Sequence, residues 1–279
     1  MNKIEILKSE KDGLKVKVDI HRMAKEGWES ISEGDIQRLK WYGLFLRNPT
    51  PGFFMLRVRI PNGFSYSYQI RALCFIAETF GNGIIDITTR QQVQLRQLKI
   101  ENVPEVFDLL EEAGLTSTQT GMDNVRNIIG CPVAGLNPKE RVNAYAQVKA
   151  LTEHILNNSE FSNLPRKFNV AISGCADDCV HAETQDLALV PAVQEKGGNH
   201  VYGFNILVGG KLGSGGYRIA TSLDVFLSPE EVVEVCSAII LLFRDHGNRE
   251  ARNKNRLAFL VEDWGEEKFR KALEFIIYR

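Results

Sequence analysis

Apolar and polar positions recur along the chain with two different periods, and each change of period marks a new element. The stretch "FFMLRVRI" (53–60) alternates and is rich in strand formers, which predicts a strand. After the turn "PNG", apolar residues recur at helical spacing from Ser65 to Phe80, and Gly81 closes the run. "IIDITTRQQVQLRQLKI" (84–100) reads as two strand segments, followed by a helix from Val103 to Gly114. Strand–helix–strand–strand–helix over 53–114 predicts a split βαβ, ferredoxin-like half-domain with antiparallel pairing. Ahead of it, residues 20–47 hold a helical pattern with Trp28, Trp41 and Tyr42, and 1–47 reads as an N-terminal arm.

Beyond residue 118 the order changes. Residues 121–138 are mostly loop, and a helix is expected from Lys139 to Leu156, with Asn137 or Pro138 at its start. Strands are expected at 167–173, 186–191 and 201–208, then a glycine-rich loop at 209–216. Helices are expected at 228–245, 249–261 and 264–277. The fold class is therefore α+β, with a ferredoxin-like half-domain (48–118) followed by a larger α+β domain (119–279).

A length of 279 residues allows one large domain or two of ordinary size. The net charge of −1 gives no reason to expect nucleic acid or an anionic membrane as partner. No uninterrupted apolar run approaches the roughly 18 residues of a spanning helix. The N-terminus lacks the compact apolar core and cleavage site of an export signal, so a cytoplasmic location is expected. Five cysteines in such a chain read as thiols or metal ligands before disulfides.

Candidate chemistry lies in cations at unusual positions. Residues two apart share a face of a strand, so Arg57 and Arg59 point together, as do Arg90, Gln92, Gln94 and Arg96. Such a stripe either faces water or faces an anion-rich ligand, because guanidinium forks match carboxylates at two points. Arg126 lies in a loop of small and polar residues, and Lys167 opens a strand that ends near a thiol pair, in "LPRKFNVAISGCADDCVHAE".

Cys74 and Cys236 sit in helical apolar runs and read as small hydrophobes. Cys131, Cys175 and Cys179 lie in loops, where close thiols suit an iron–sulfur cluster, although four thiolates usually hold the iron. The two acidic residues between Cys175 and Cys179 oppose thiolate formation. His181 offers a mixed zinc set, but no second pair stands at finger spacing. "GGKLGSGG" lacks the residue order of a phosphate-binding loop.

Taken in order, "FMLRVRIPNG", "DITTRQQVQLR", "GMDNVRNIIGCPVAG", "NLPRKFNVAISG", "DLALVPA" and "GFNILVGG" resemble the N-terminal half of ferredoxin-dependent nitrite reductases, relatives of the assimilatory sulfite reductases. The resemblance runs from about Gly27 to Phe275. It implies a siroheme enzyme with a 4Fe-4S cluster, built from two pseudo-symmetric halves and reducing nitrite to ammonia with electrons from reduced ferredoxin. By motif, Arg57, Arg126 and Lys167 match residues that steady the anion and relay protons, and Arg90, Gln94 and Arg96 match positions facing the siroheme. Asn169 stands where sulfite reductases tend to carry a second lysine, which favours singly charged nitrite over sulfite.

The family's cluster ligands come from C-x5-C and C-x3-C motifs in the C-terminal half, and this chain ends at "FIIYR". The resemblance thus implies an N-terminal half that is inactive without a C-terminal half or a second copy of itself. Cys131, Cys175 and Cys179 then look like a remnant cluster site, with Asn137 near the place of the fourth thiol. Two alternatives stand beside it: a sulfite reductase or precorrin-3B synthase-like enzyme, and a non-catalytic siroheme- or cluster-binding module acting as a dimer.

Overall fold

The structure, a computed structural model, describes residues 2–213 and 216–277. Ser214 and Gly215 of the glycine-rich loop, and Tyr278 and Arg279 of the expected C-terminal domain, lie outside the described residues.

The first sheet is built from β1 (Leu44–Arg47), β2 (Thr50–Val58), β3 (Ile85–Ile87) and β4 (Val93–Lys99), in the order β1-β2-β4-β3 with antiparallel pairing throughout. Cross-strand register explains its two faces. Leu44 opposes Leu56 and Leu56 opposes Leu95, so one face is apolar; Arg57 opposes Gln94 and Gln94 opposes Asp86, so the other is polar. The chain reaches Leu44 from the arm helices α1 (Lys3–Glu10), α2 (Ile20–Glu26) and α3 (Glu33–Arg38). The apolar face packs against α4 (Ser67–Phe80) and α5 (Val103–Glu112), whose buried stripes are Leu73, Ile76, Ala77 and Val103, Val106, Leu110. β2-α4-β3-β4-α5 is the ferredoxin-like order that the periodicity predicts.

Residues 44–47, expected to be helical, are instead a strand on the edge of this sheet. Gly43 turns the chain between a short 3-10 helix and β1, at φ +73, where any side chain's Cβ would run into the Thr120 hydroxyl and the Arg57 and Ser117 carbonyls. Only glycine takes that backbone without strain.

The second sheet is mixed. β5 (Ile129–Gly130), β6 (Val170–Ile172) and β7 (Leu187–Lys196) are parallel, and β8 (Asn199–Val208) and β9 (Thr221–Leu227) continue antiparallel. Gly197 and Gly198, both at positive φ, make the two-residue hairpin turn between β7 and β8. α6 (Ala144–Ile155), α7 (Val232–His246) and α8 (Leu257–Ile277, broken at Gly265) share the main core with Val170, Ile172, Leu187 and Leu189. The opposite face carries small residues, Ala171 and Ala188, and a return loop lays Val180 and Ala182 over them.

Two helical expectations fail for one physical reason: backbone or side-chain polar groups are drawn elsewhere. The helix expected from Lys139 begins at Ala144, because the Arg141 and Val142 N–H groups donate to the Gly174 carbonyl. The helix expected at 249–261 begins at Leu257, because Arg249, Arg252 and Arg256 are committed to buried carboxylates upstream of it. β9 carries no clean alternation and is a strand through its pairing with β8. Among the described residues, no helix is long and apolar enough to cross a membrane.

The arm ties the two cores together. Val16, Ile20, Met23 and Leu39 enter the first core, while the Trp41 indole N–H donates to the Ser162 carbonyl of the larger domain at 2.9 Å. Lys8 Nζ donates to the Leu164 carbonyl and pairs with Asp123, a fully buried carboxylate that Arg252 clasps at two points, 2.8 Å each.

Candidate active site

The three parallel strands set the site at their starting ends. Arg126 lies just before β5, and its backbone N–H donates to the Phe168 carbonyl. Lys167 and Asn169 stand just before β6, and Asp186 just before β7. The turn between β3 and β4 brings Arg90 and Gln91 against them. Gln91, at φ 54, exchanges two hydrogen bonds with the Gly130 backbone, and Asn127 Nδ2 donates to the Arg90 carbonyl at 2.9 Å. The first sheet is thus lashed to the second across the site.

A cleft of about 400 Å³ opens at this junction, lined by Arg90, Gln91, Lys167, Asn169, Cys179, His181 and Gln185 among others. Arg57 adjoins it on the polar face of the first sheet, with its guanidinium over the Phe45 ring at 5.0 Å. Gln94 lies beside Arg57 across the strands, and Arg96 donates to Asp86 at 2.5 Å.

The electrostatics show how closely the cations crowd. Burial holds Arg57 down to about 10, with Arg90 and Arg96 pushing the same way. Arg126 is held well below its ordinary value by burial and then by Arg57 and Arg90. Lys167 falls to about 8 through burial, then through Arg256, Arg90 and Arg126. Arg57, Arg90, Arg126 and Lys167 therefore converge. The Nε atoms of Arg57, Arg90 and Arg126 and the Oδ1 atom of Asn169 are all buried without a partner. Buried polar groups are normally satisfied, so the three unpaired Nε–H donors point to an anionic ligand, whereas the Asn169 oxygen calls for a donor. A carboxylate-rich macrocycle with a small anion beside it fits this donor set.

Arg59 serves differently from Arg57, its neighbour on the strand. Its guanidinium is buried and donates to the carbonyls of Thr118, Gln119, Val125 and Arg126 at 3.0–3.4 Å. It holds the loop that presents Arg126. Gln92 lies in the turn before β4, fully buried.

Two of the thiols occupy the far ends of the same strands, while Cys179 lines the cleft itself. Cys131 follows β5 and Cys175 follows β6, and their thiols lie within hydrogen-bond reach of each other. Burial, then the neighbouring Cys175 and Cys179, lifts Cys131 to about 11. Asn137 Nδ2 donates to Cys175 Sγ at 3.4 Å. The set supplies three thiols and an amide, which does not fit a four-thiolate cluster. His181 groups instead with Asp178 and Glu183, with ligand atoms within 4.8 Å, apart from the thiols.

Sequence periodicity misses Gln91, Asn127, Asp186 and Arg256. Their signal is three-dimensional: each is polar, and each meets residues from a distant segment.

The chain is thus a two-unit anion-binding fold, a ferredoxin-like half-domain joined to a mixed α/β domain with an arginine-containing cleft at the junction. Residues 121–275 match the nitrite and sulphite reductase 4Fe-4S domain, and residues 47–113 match the nitrite/sulfite reductase ferredoxin-like half domain. The chain belongs to the nitrite and sulfite reductase family. It is 48% identical over 280 residues to the ferredoxin–nitrite reductase of Leptolyngbya laminosa, covering 98% of this chain and 54% of that protein. It is 46% identical to the ferredoxin–nitrite reductase of Synechococcus elongatus, with the same coverage. The structure of Mycobacterium tuberculosis NirA superposes with a TM-score of 0.91 at 32% identity, covering 97% of this chain and 52% of that one. The chain spans about half the length of the curated relatives it matches.

Proposed function

We propose that this chain forms the anion-binding and siroheme-facing half of a nitrite reductase that converts nitrite to ammonia. The crowding of Arg57 and Arg126 against Arg90 and Lys167, which line the cleft, with buried arginine Nε donors left unpaired, is the observation that supports this reading. Arg90, Arg96 and Gln94 would hold the ring carboxylates of a siroheme, and Arg57, Arg126, Lys167 and Asn169 would hold nitrite. When bound, siroheme would supply the redox-active iron for this reduction, with reduced ferredoxin as the electron source that the relatives' names imply.

The chain's own groups bind, orient and protonate. Fixed guanidinium groups in a dry cleft stabilise negative charge without having to reorganise. Lys167, held near 8, is charged at neutral pH yet releases a proton more readily than the arginines. Asn169 places an amide where a lysine would add charge, so the pocket suits a monoanion.

The catalytic unit is completed by a C-terminal half or a second copy of this chain, and it works in the cytoplasm. Cys131, Cys175 and Cys179 are a remnant of a cluster seat, and no step passes through them.

Nitrite titration into the siroheme-loaded chain, followed by the haem absorbance, tests the assignment. Binding is expected, and Arg57→Ala and Arg126→Ala should each weaken it about tenfold or more. Equal affinity in the native chain and both variants would refute the site. Ammonia formation by the reconstituted chain in monomeric form would refute the need for a second half.

A further inference from the structure

Arg256 is 2% exposed and Asp186 is fully buried. The guanidinium grips that carboxylate at two points, Nε to Oδ1 at 2.8 Å and Nη2 to Oδ2 at 2.6 Å. Arg256 immediately precedes α8 and Asp186 immediately precedes β7, so the pair pins the start of a helix to the start of a strand. Asp186 Oδ2 also accepts the backbone N–H of Asn169 at 2.8 Å, which fixes the strand start that carries Lys167. One arm of the guanidinium, Nη1, is buried and has no partner.

The remaining charge bears on Lys167, and among the charged neighbours of that lysine Arg256 has the largest influence, ahead of Arg90 and Arg126. Asp186 opposes them with a smaller influence, and it is already engaged by Arg256. Cys179 and His181 are the other titratable groups on the cleft wall.

We propose that Arg256, locked by Asp186, is a positioning residue: it holds an anchored positive charge behind Lys167 and so presents that lysine, rather than an arginine, as the proton donor toward a bound anion. The proposal rests on the assignment of Lys167 to the anion site. Asp186 sets the position and Arg256 sets the charge; neither needs to touch the substrate.

The experiment is a pH titration of Lys167 in the chain labelled with carbon-13 at lysine Cε, with the signal assigned by its loss in Lys167→Arg. The native midpoint is expected near pH 8. Arg256→Gln should raise it by about one unit, a tenfold gain in proton affinity, and Arg256→Lys should restore a low midpoint. Should Arg256→Gln fail to fold, the double variant Asp186→Asn/Arg256→Gln keeps hydrogen-bonding partners in place, and the midpoint should still rise, by less. Coincident midpoints in the native chain and a folded neutral variant overturn the proposal. Nitrite titration of the same samples separates the two ideas. A shifted Lys167 midpoint with no nitrite binding leaves the positioning intact and removes the nitrite assignment, and nitrite binding with an unmoved midpoint does the reverse.

Discussion

At the scale of single residues, period-two spacing finds the cations but not their tasks. Arg57 and Arg59 stand on the same face, yet the first has an unpaired Nε and the second is surrounded by four carbonyl groups. Alternation reports direction, and it says nothing of how many backbone acceptors wait there. Arg59→Met should strand those acceptors and cost about 3 kcal/mol, read as a lower denaturation midpoint, whereas Arg57→Met should leave stability within about 1 kcal/mol. Lys167 gives a pH prediction. Its folded value near 8 lies below the ordinary 10.5, so the unfolded chain binds more protons between those values and stability gains as pH rises through that window. Anion binding runs the opposite way: nitrite affinity should fall as pH climbs past about 8 and the ammonium empties. Lys167→Arg should hold its affinity to higher pH, and a flat profile in the native chain would exclude Lys167 from the site.

At the scale of elements, the ferredoxin-like half was legible because each strand and helix there buries one face, which imposes a clean period. The larger domain was less legible where polar groups from distant segments intervene. Residues 139–143 hold helix-compatible spacing, but the Gly174 carbonyl captures the N–H groups of Arg141 and Val142; residues 249–256 fail likewise, to Glu5, Asp123 and Asp186. The thiols also belong to this scale, since Cys131 and Cys175 end neighbouring strands. Spacing brought them to notice, while the amide of Asn137 on Cys175 Sγ was visible only in three dimensions. Reconstitution of the native chain with iron and sulfide should therefore leave it well below one cluster per chain, and Asn137→Cys should raise the iron retained. Full native occupancy would contradict the remnant assignment.

At the scale of the whole molecule, the arm and the buried Asp123 join two cores that could otherwise unfold apart. Asp123 is fully buried and is reached by Lys8 from α1 and Arg252 from before α8, so three distant segments share one carboxylate. Asp123→Ala takes the buried carboxylate from Arg252 and leaves Lys8 with Glu5, and should cost about 3–5 kcal/mol. Differential calorimetry should then show the single transition of the native chain splitting in two, and a single intact transition in the variant would show that other contacts suffice. A last consequence comes from the crowd of like charges in the cleft. An empty cleft stores repulsion, so the chain resembles a sprung trap whose tension an incoming polyanion relaxes, and ligand binding should add to stability by mass action. Citrate or phosphate in the buffer ought to raise the melting temperature, and dialysing either anion away should return the chain to its most fragile form.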